Sequence, residues 1–375
     1  MANNNDKKVL NVPDLRFPEF SGEWVETELQ DIVPNICSGK DRISNSGEVA
    51  LYGSTGVIGR TNSASYKENI VLVARVGANA GQMQIGNAPC GVTDNTLVID
   101  AKEWNYYIYY FLQHYNLNRL VFGSGQPLIT GGMLKRIKVR YGCKAERNNI
   151  TRLLCLIDER IATQNKIIED LKKLKSAISK QAFAQKPNGW NRLDTLFSKG
   201  KAGGTPTSTN KEYYNGEIPF LSINDITKQG KYVRYTENHL SRSGLENSSA
   251  WVVPEYSLII SMYASVGLVT INEVPITTSQ AMFAMQLRDK DLLDYLYYYL
   301  SYFKYRHIHK YLETGTQSNI NADIVRGIMI PTYGHSRNMK IASTLQGIDA
   351  KIDNELSVLK LFNRQKNYLL SQMFI

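Results

Sequence analysis

The sequence predicts an α/β (α+β) protein built as two globular segments of similar fold, separated by two long antiparallel coiled-coil helices with pseudo-two-fold symmetry. Two observations predict it. Apolar residues recur in alternating steps of four and three at Ile150, Leu154, Ile157, Ile161, Ile168, Leu171 and Ile178, with polar breaks at Gln164 and Lys175. Shifted by 191, the same seam returns as Ile341, Leu345, Ile348, Ile352, Leu359, Phe362 and Leu369, broken at Glu355 and Lys366. A mean spacing of 3.5 residues keeps one stripe of a helix facing a partner helix, and a repeat at a fixed offset marks a duplicated unit. The ends match as well, Gln181-Ala182-Phe183 becoming Gln372-Met373-Phe374.

The first globule, residues 1–144, alternates short strands with glycine turns. Val71–Val76 and Thr96–Ile99 read as buried strands, followed by an aromatic helix from Asn105 to Leu112 and a loop Gly123–Ile129. A spacer helix fills 145–187. The second globule, 188–335, repeats these parts, with Trp190 standing for Trp24, a strand Ser257–Ser261, an aromatic helix Asp294–Tyr299 and a loop Thr314–Ile320. The second spacer helix occupies 336–375. Consecutive tyrosines on a helix place most rings in a core, which outweighs a base-stacking role. A helix of roughly 35 residues is about 50 Å long and can act as a ruler. The polar breaks set an antiparallel register in which Lys175 faces Glu355, Gln164 faces Lys366, and Ile168, Leu171 and Ile178 meet Phe362, Leu359 and Ile352.

Residues 1–144 carry 15 basic and 13 acidic side chains, and 188–335 carry 14 and 13, so the globules are almost neutral. The spacers hold 9 against 5 and 6 against 3, which places most of the net +10 on the helices. Such charge attracts nucleic acid through counterion release, but solvated helix faces are commonly charged too. The start has no apolar stretch and no run reaches the roughly 18 apolar residues of a membrane span, so a cytoplasmic protein with no membrane partner is expected. Cys37, Cys90, Cys143 and Cys155 form no CxxC pair, and His307 with His309 reads better as surface than as a metal site. No Asn/Asp-Pro-Pro-aromatic loop, Walker loop or Gly-x-Ser-x-Gly elbow occurs; Gly200-Lys201-Ala202-Gly203-Gly204 lacks the hydroxyl residue after the lysine. A binding protein is expected, without catalytic residues, metal or cofactor of its own.

Several stretches, in order, resemble the specificity subunit of type I restriction-modification systems: Leu15-Arg16-Phe17-Pro18-Glu19-Phe20; Gly203-Gly204-Thr205-Pro206 with Tyr213, Tyr214, Gly216, Ile218-Pro219-Phe220 and Asp225; the Gly-Gln-Pro and Thr-Gln-Ser-Asn-Ile loops; and Leu369–Phe374. The resemblance implies that each globule is a target recognition domain reading half of a split double-stranded DNA sequence. It implies that the helices dock two modification subunits, which are adenine methyltransferases, and that restriction/translocase subunits join. S-adenosylmethionine, ATP and Mg are then expected on those partners. The first globule departs from the pattern, with Cys37-Ser38-Gly39-Lys40 in place of the Gly-Gly-Thr-Pro loop.

Bases are read by Arg, Asn and Gln in the groove, while Lys, Ser, Thr and backbone amides fix the register on phosphates. Candidate DNA contacts are therefore Lys40, Arg42, Ser54, Thr55, Arg60, Arg75 and Gln126 in the first globule. In the second they are Lys201, Gly204, Thr205, Ser222, Asn224, Lys228, Lys231, Gln317 and Asn319. The alternative is a coiled-coil scaffold that binds proteins and not DNA; a stand-alone methyltransferase would have to bind S-adenosylmethionine by itself.

Overall fold

A computed structural model of the 375-residue chain describes residues 11–33, 35–123, 125–312 and 319–375. The chain divides into two compact units, Met1–Lys166 with Leu356–Ile375, and Ile167–Glu355. Each long helix is thus shared, its residues falling partly in one unit and partly in the other, whereas the sequence pattern places each helix outside the globules.

In the first unit a four-stranded antiparallel sheet runs in the order Ile36–Ser38, Thr96–Ile99, Ile70–Ala74, Met83–Gly86. Ile70–Ala74 and Thr96–Ile99 are buried throughout, as expected of apolar runs at the centre of a sheet covered on both faces. A second sheet joins the hairpin Val49–Gly53 and Gly56–Thr61 to Cys90–Val92. The aromatic helix Asn105–Tyr115 buries Tyr107, Ile108, Tyr110, Phe111 and Leu112.

The second unit repeats the plan. Its five-stranded sheet runs Phe197–Ala202, Met282–Leu287, Leu258–Ser261, Val269–Asn272, Tyr232–Val233, and a smaller sheet joins Asn238–Leu240, Tyr214–Leu221 and Thr277–Thr278. Its aromatic helix is Leu293–Arg306. In each unit a two-stranded ribbon closes the globule: Val25–Glu28 with Lys138–Tyr141, and Gly189–Arg192 with Met329–Thr332. Register corrects one correspondence. Trp190 pairs with Pro331 as Glu26 pairs with Arg140, so Trp190 stands for Glu26; it is 53% exposed where Trp24 is 4% exposed.

The long helices are Lys144–Phe183 and His335–Met373. Their repeated ends have one purpose. Phe374 packs on Tyr107, Phe111 and His114 with centroids 5.4, 6.2 and 5.9 Å away, three positions on one helix face. Phe183 packs on Tyr295, Tyr299 and Tyr302 at 6.0, 5.3 and 5.3 Å, the counterpart positions. The expected seam residues Ile157, Ile168, Ile352 and Leu369 are buried, and Ile161, Leu171, Ile178, Ile348, Leu359 and Phe362 are half-buried.

Within the second unit the helix segments run antiparallel, since Lys175 meets Asp349 while Gln185, just past the first helix, meets Arg337. The expected register is not observed, because Lys175 pairs six residues before Glu355. Lys175 Nζ lies 2.5 Å from Asp349, not opposite Glu355, and Lys366 Nζ lies 2.7 Å from Asp158, not opposite Gln164. Glu355 instead pairs with Lys351 one turn away. The reason is tertiary. Tyr298 donates its hydroxyl to Asp349 at 2.8 Å and Tyr110 donates to Asp158 at 2.9 Å, so each aspartate is held by the aromatic helix as well as by a lysine. Asp158 and Asp349 are themselves 191 apart.

Candidate nucleic-acid interface

In the first unit the loop after Ile36–Ser38 is pinned from below. A side chain at Gly39 would lie 2.2 Å from the Val92 carbonyl oxygen, so only glycine lets the loop approach. Asp41 then accepts hydrogen bonds from Ser65 Oγ at 2.6 Å and the Val92 N–H at 2.8 Å. With Asp41 turned inward, Lys40 and Arg42 point outward, and neither has an ion pair among the described residues. The hairpin beside them carries Thr55, exposed at its tip, and Ser54, which donates to the Asn95 carbonyl at 3.1 Å. Arg60 is exposed and donates to the Glu48 carbonyl at 2.5 Å. Three apolar side chains share this surface: Ile43, Val57 and Ile58 are 62%, 57% and 49% exposed. Arg75 is half-buried and donates to Ser38 Oγ at 3.3 Å, while Gln126 is exposed on a loop held through Gly77 N–H to Pro127 O and Ile129 N–H to Arg75 O.

The second unit meets solvent differently. Gly203 and Gly204 are buried, and a side chain on either would come within 2.0 Å of Thr278 O or 2.2 Å of Ser249 Oγ. Thr205 is exposed and its hydroxyl is bonded to Gln280. Ser222 caps the helix Ile223–Gln229 in a capping box with Asp225, whose other oxygen accepts the Glu237 N–H at 3.0 Å. Asn224 and Lys228 both bond Glu237, and Arg234 pairs with Glu273 at 2.6 Å. Lys201 is exposed, with no ion pair among the described residues.

The model of the type I restriction modification DNA specificity domain matches the chain twice, over residues 21–173 and 187–360. The chain belongs to that family. Among curated relatives, the type I restriction enzyme MjaIX specificity subunit of Methanocaldococcus jannaschii is 25% identical over 178 residues, 46% of this chain and 40% of that protein. The HindI specificity subunit of Haemophilus influenzae is 32% identical over 113 residues, 30% of this chain and 24% of that protein. The matched stretches thus span less than half the length of these relatives. Among solved structures, the S subunit of a type I restriction-modification system from M. genitalium superposes with a TM-score of 0.66 at 16% identity, covering 97% of this chain and 99% of that one. A chain from a study of complex assembly and conformational transition in the type I R-M system gives 0.57 at 15% identity, covering 96% and 99%. These likenesses establish the fold.

Within this family assignment, three sequence-derived contacts need correction. Lys231 is only 11% exposed; its ammonium lies 2.6 Å from Asp294 and over the Tyr298 ring, so it is a structural ion pair and not a loop cation. Burial, then the Asp294 charge, pushes the neighbouring Tyr232 hydroxyl up to about 12. Gly204 is buried against Ser249 and Ala250, and its role is close backbone packing. The Ser222 hydroxyl donates to Asp225 at 2.6 Å and accepts the Asp225 N–H as a helix cap. Gln317 lies outside the described residues, and Asn319 at their edge is half-buried.

The opening and closing motifs of the family resemblance are scaffold in the first unit. Arg16 holds the buried Glu146 through two nitrogens at 2.6 and 2.9 Å, and the Leu15 N–H donates to Gln372 O at 2.9 Å. This ties the opening segment to both long helices in the first unit. Sequence reasoning missed the exposed Ile43, Val57 and Ile58; for Val57 and Ile58, which lie on a strand, the hairpin spacing Gly53 to Gly56 was the available signal. Among the described residues, no group of three or more His, Cys, Asp or Glu side chains could hold a metal, and no helix is long and apolar enough to cross a membrane.

Proposed function

We propose that this chain is the DNA sequence-specificity subunit of a type I restriction-modification complex. Each unit reads one half of a bipartite double-stranded target, and the chain positions two modification (adenine methyltransferase) subunits and the restriction/translocase subunits. Catalysis, with S-adenosylmethionine, ATP and Mg, belongs to those partners. The observation that carries this reading is the double match of the specificity domain, one copy on each globule.

The chemistry of the exposed loops supports it. A two-stranded ribbon such as Val49–Thr61 is of a width that B-DNA's major groove, about 12 Å across, admits. Lys40, Arg42 and Arg60 would neutralise phosphates, Thr55 would accept or donate at a base edge, and Val57 and Ile58 offer methyl groups to thymine methyls. In the second unit Lys201, Thr205, Asn224 and Lys228 offer the same mixture of cation, hydroxyl and amide.

The test is to map methylated adenines in cells carrying the system, then to exchange residues 1–144 for those of a relative. One half of the methylated motif should change and the other persist. A motif that stays whole, or changes in both halves, refutes independent reading; adenines methylated without any motif refute sequence recognition altogether.

A further inference from the structure

At the end of the strand Ile70–Ala74 the backbone of the first unit matches that of the second bond by bond. The Arg75 N–H donates to Asn95 O at 3.0 Å, and the Ile129 N–H donates to Arg75 O at 2.9 Å. In the second unit the Met262 N–H donates to Ala281 O at 2.7 Å, and the Ile320 N–H donates to Met262 O at 3.0 Å. Beside this point the Gly39 N–H donates to Thr96 O and the Gly203 N–H to Met282 O, at 3.0 and 3.1 Å. Arg75, Ser38 and Asn95 therefore occupy the places of Met262, Ala202 and Ala281. A polar trio in the first unit has an apolar counterpart on an equivalent frame.

As scaffold, the polar version is the worse choice. Arg75 is half-buried and has no ion pair among the described residues. Its Nη1 donates to Ser38 Oγ at 3.3 Å, which leaves most of a guanidinium's donors unspent. A partly desolvated cation without acceptors destabilises the fold, and Met262, 3% exposed, fills the same place without one. The arginine is also held near the hairpin. The Asn95 carbonyl that accepts the Arg75 N–H also accepts Ser54 Oγ at 3.1 Å, next to the exposed Thr55 at the tip of the Val49–Thr61 ribbon.

A phosphate does not account for a cation found in one unit only. The two halves of a duplex target share one kind of backbone, so contacts that set register are needed by both units; the half-sites differ in their bases. Lys40 and Arg42, outward and unpaired among the described residues, already supply phosphate cations on this face. A guanidinium fork matches guanine O6 and N7 in the major groove, and a side chain already held by Ser38 loses little freedom on binding. We propose that Arg75 reads a guanine in the half-site of the first unit, with Ser38 as its positioning residue; the inference rests on the proposed role of the chain as a specificity subunit.

The test uses the full chain assembled with its modification subunits. Methylated-adenine mapping gives the motif, and the half that changes on exchange of residues 1–144 belongs to the first unit; it should contain a G·C pair. Replacing each guanine of that half in turn by 7-deazaguanine removes the N7 acceptor, and at one position this should weaken binding by the parent complex about tenfold. Arg75→Met, which copies the second unit, should abolish that penalty and make the methylated motif degenerate at that one pair while the second half-site persists. Arg75→Lys keeps the charge without the fork and should be equally degenerate; it also serves if Arg75→Met does not fold. Ser38→Ala should relax the same pair to a smaller degree.

A first half-site without a G·C pair, or a deazaguanine penalty that survives Arg75→Met, would overturn the proposal. So would an unaltered motif with Arg75→Lys, or a loss spread evenly over all sequences with a flatter salt dependence, which are the marks of a phosphate contact. If the parent complex methylates no motif, the specificity reading falls and this inference with it; if a motif exists and the Arg75 variants keep it, only this inference falls.

Discussion

The hairpin face of the first unit and the corresponding face of the second unit expose different chemistry. Around Val49–Thr61 the first exposes Ile43, Val57 and Ile58 with Lys40 and Arg42 unpaired among the described residues. Around Ile223–Gln229 the second exposes a polar network in which Asn224, Lys228 and Glu237 are bonded to one another and Arg234 holds Glu273. Deeper in, the units agree position by position: Tyr110–Asp158–Lys366 and Tyr298–Asp349–Lys175 form the same cluster, and Phe374 and Phe183 fill the same notch. Where a side chain must fill a fixed space between helices, duplication has kept its chemistry. Where it meets only solvent or a ligand, nothing in the fold holds it constant.

The largest effect that can break this comparison lies in the seam. Leu154 and Leu345 are counterparts with 0% exposure each. Leu154→Ala and Leu345→Ala should each cost about 2–5 kcal/mol, since both leave a cavity in a helix-packed core. Hydrogen exchange resolved by unit would measure each loss; a difference of several kcal/mol between them would mean that the scaffold is not equivalent.

The aspartate clusters come next. Asp158→Ala and Asp349→Ala each leave a lysine and a tyrosine hydroxyl without their acceptor, a loss of about 1–3 kcal/mol. Lys366 is 16% exposed and Lys175 29%, so water rescues Lys175 more and the first unit should lose more. Adding Lys366→Met to Asp158→Ala should recover part of the stability, because the stranded charge is removed. Thermal unfolding of these variants reads the order directly.

Smaller effects distinguish the surfaces. Val57→Ser with Ile58→Ser should weaken specific DNA binding by about 1 kcal/mol and leave the salt dependence alone, as expected when apolar packing on thymine methyls is removed. Lys40→Ala with Arg42→Ala should instead flatten the slope of log K against log salt by about 2, roughly 0.9 for each phosphate no longer neutralised. Titrations of the assembled methyltransferase at three salt concentrations separate the two patterns. The same pattern from both pairs would refute the division of labour on this face.

The smallest effect is a pH dependence at one of the positions facing the phenylalanine that ends each long helix. His114 stacks on Phe374, and its pKa is lowered chiefly by burial. The unfolded chain therefore binds its proton more readily, so stability is full above the unfolded value of about 6.5 and declines as pH falls through it towards the folded one. The counterpart in the second unit is Tyr302, a residue type that does not titrate in that range. His114→Asn should remove less than about 1 kcal/mol of the difference between about pH 7.5 and about pH 5.5, detected as a smaller shift in unfolding temperature than in the parent chain. An unchanged shift would show that His114 carries none of it.

The duplicated plan was legible in the residues because it is periodic. Seam positions at spacing 3.5, the offset of 191, the buried strands and the aromatic helices all come from patterns that one face of one element imposes on its own sequence. The pairing of those elements is another matter. The register was decided by Tyr110 and Tyr298, which reach Asp158 and Asp349 from helices far away in the chain, and no inspection of the seam alone reveals a third element competing for its polar groups. The same holds for the candidate contacts. Lys40 and Arg42 face outward because Asp41 beside them is turned inward, and Lys231, equally basic and equally placed in a loop by sequence, is drawn into an ion pair with Asp294. Periodicity is a local property that the sequence by itself determined; which charges stay in water depends on the partners that tertiary packing brings within about 3 Å, and only the folded chain decided that.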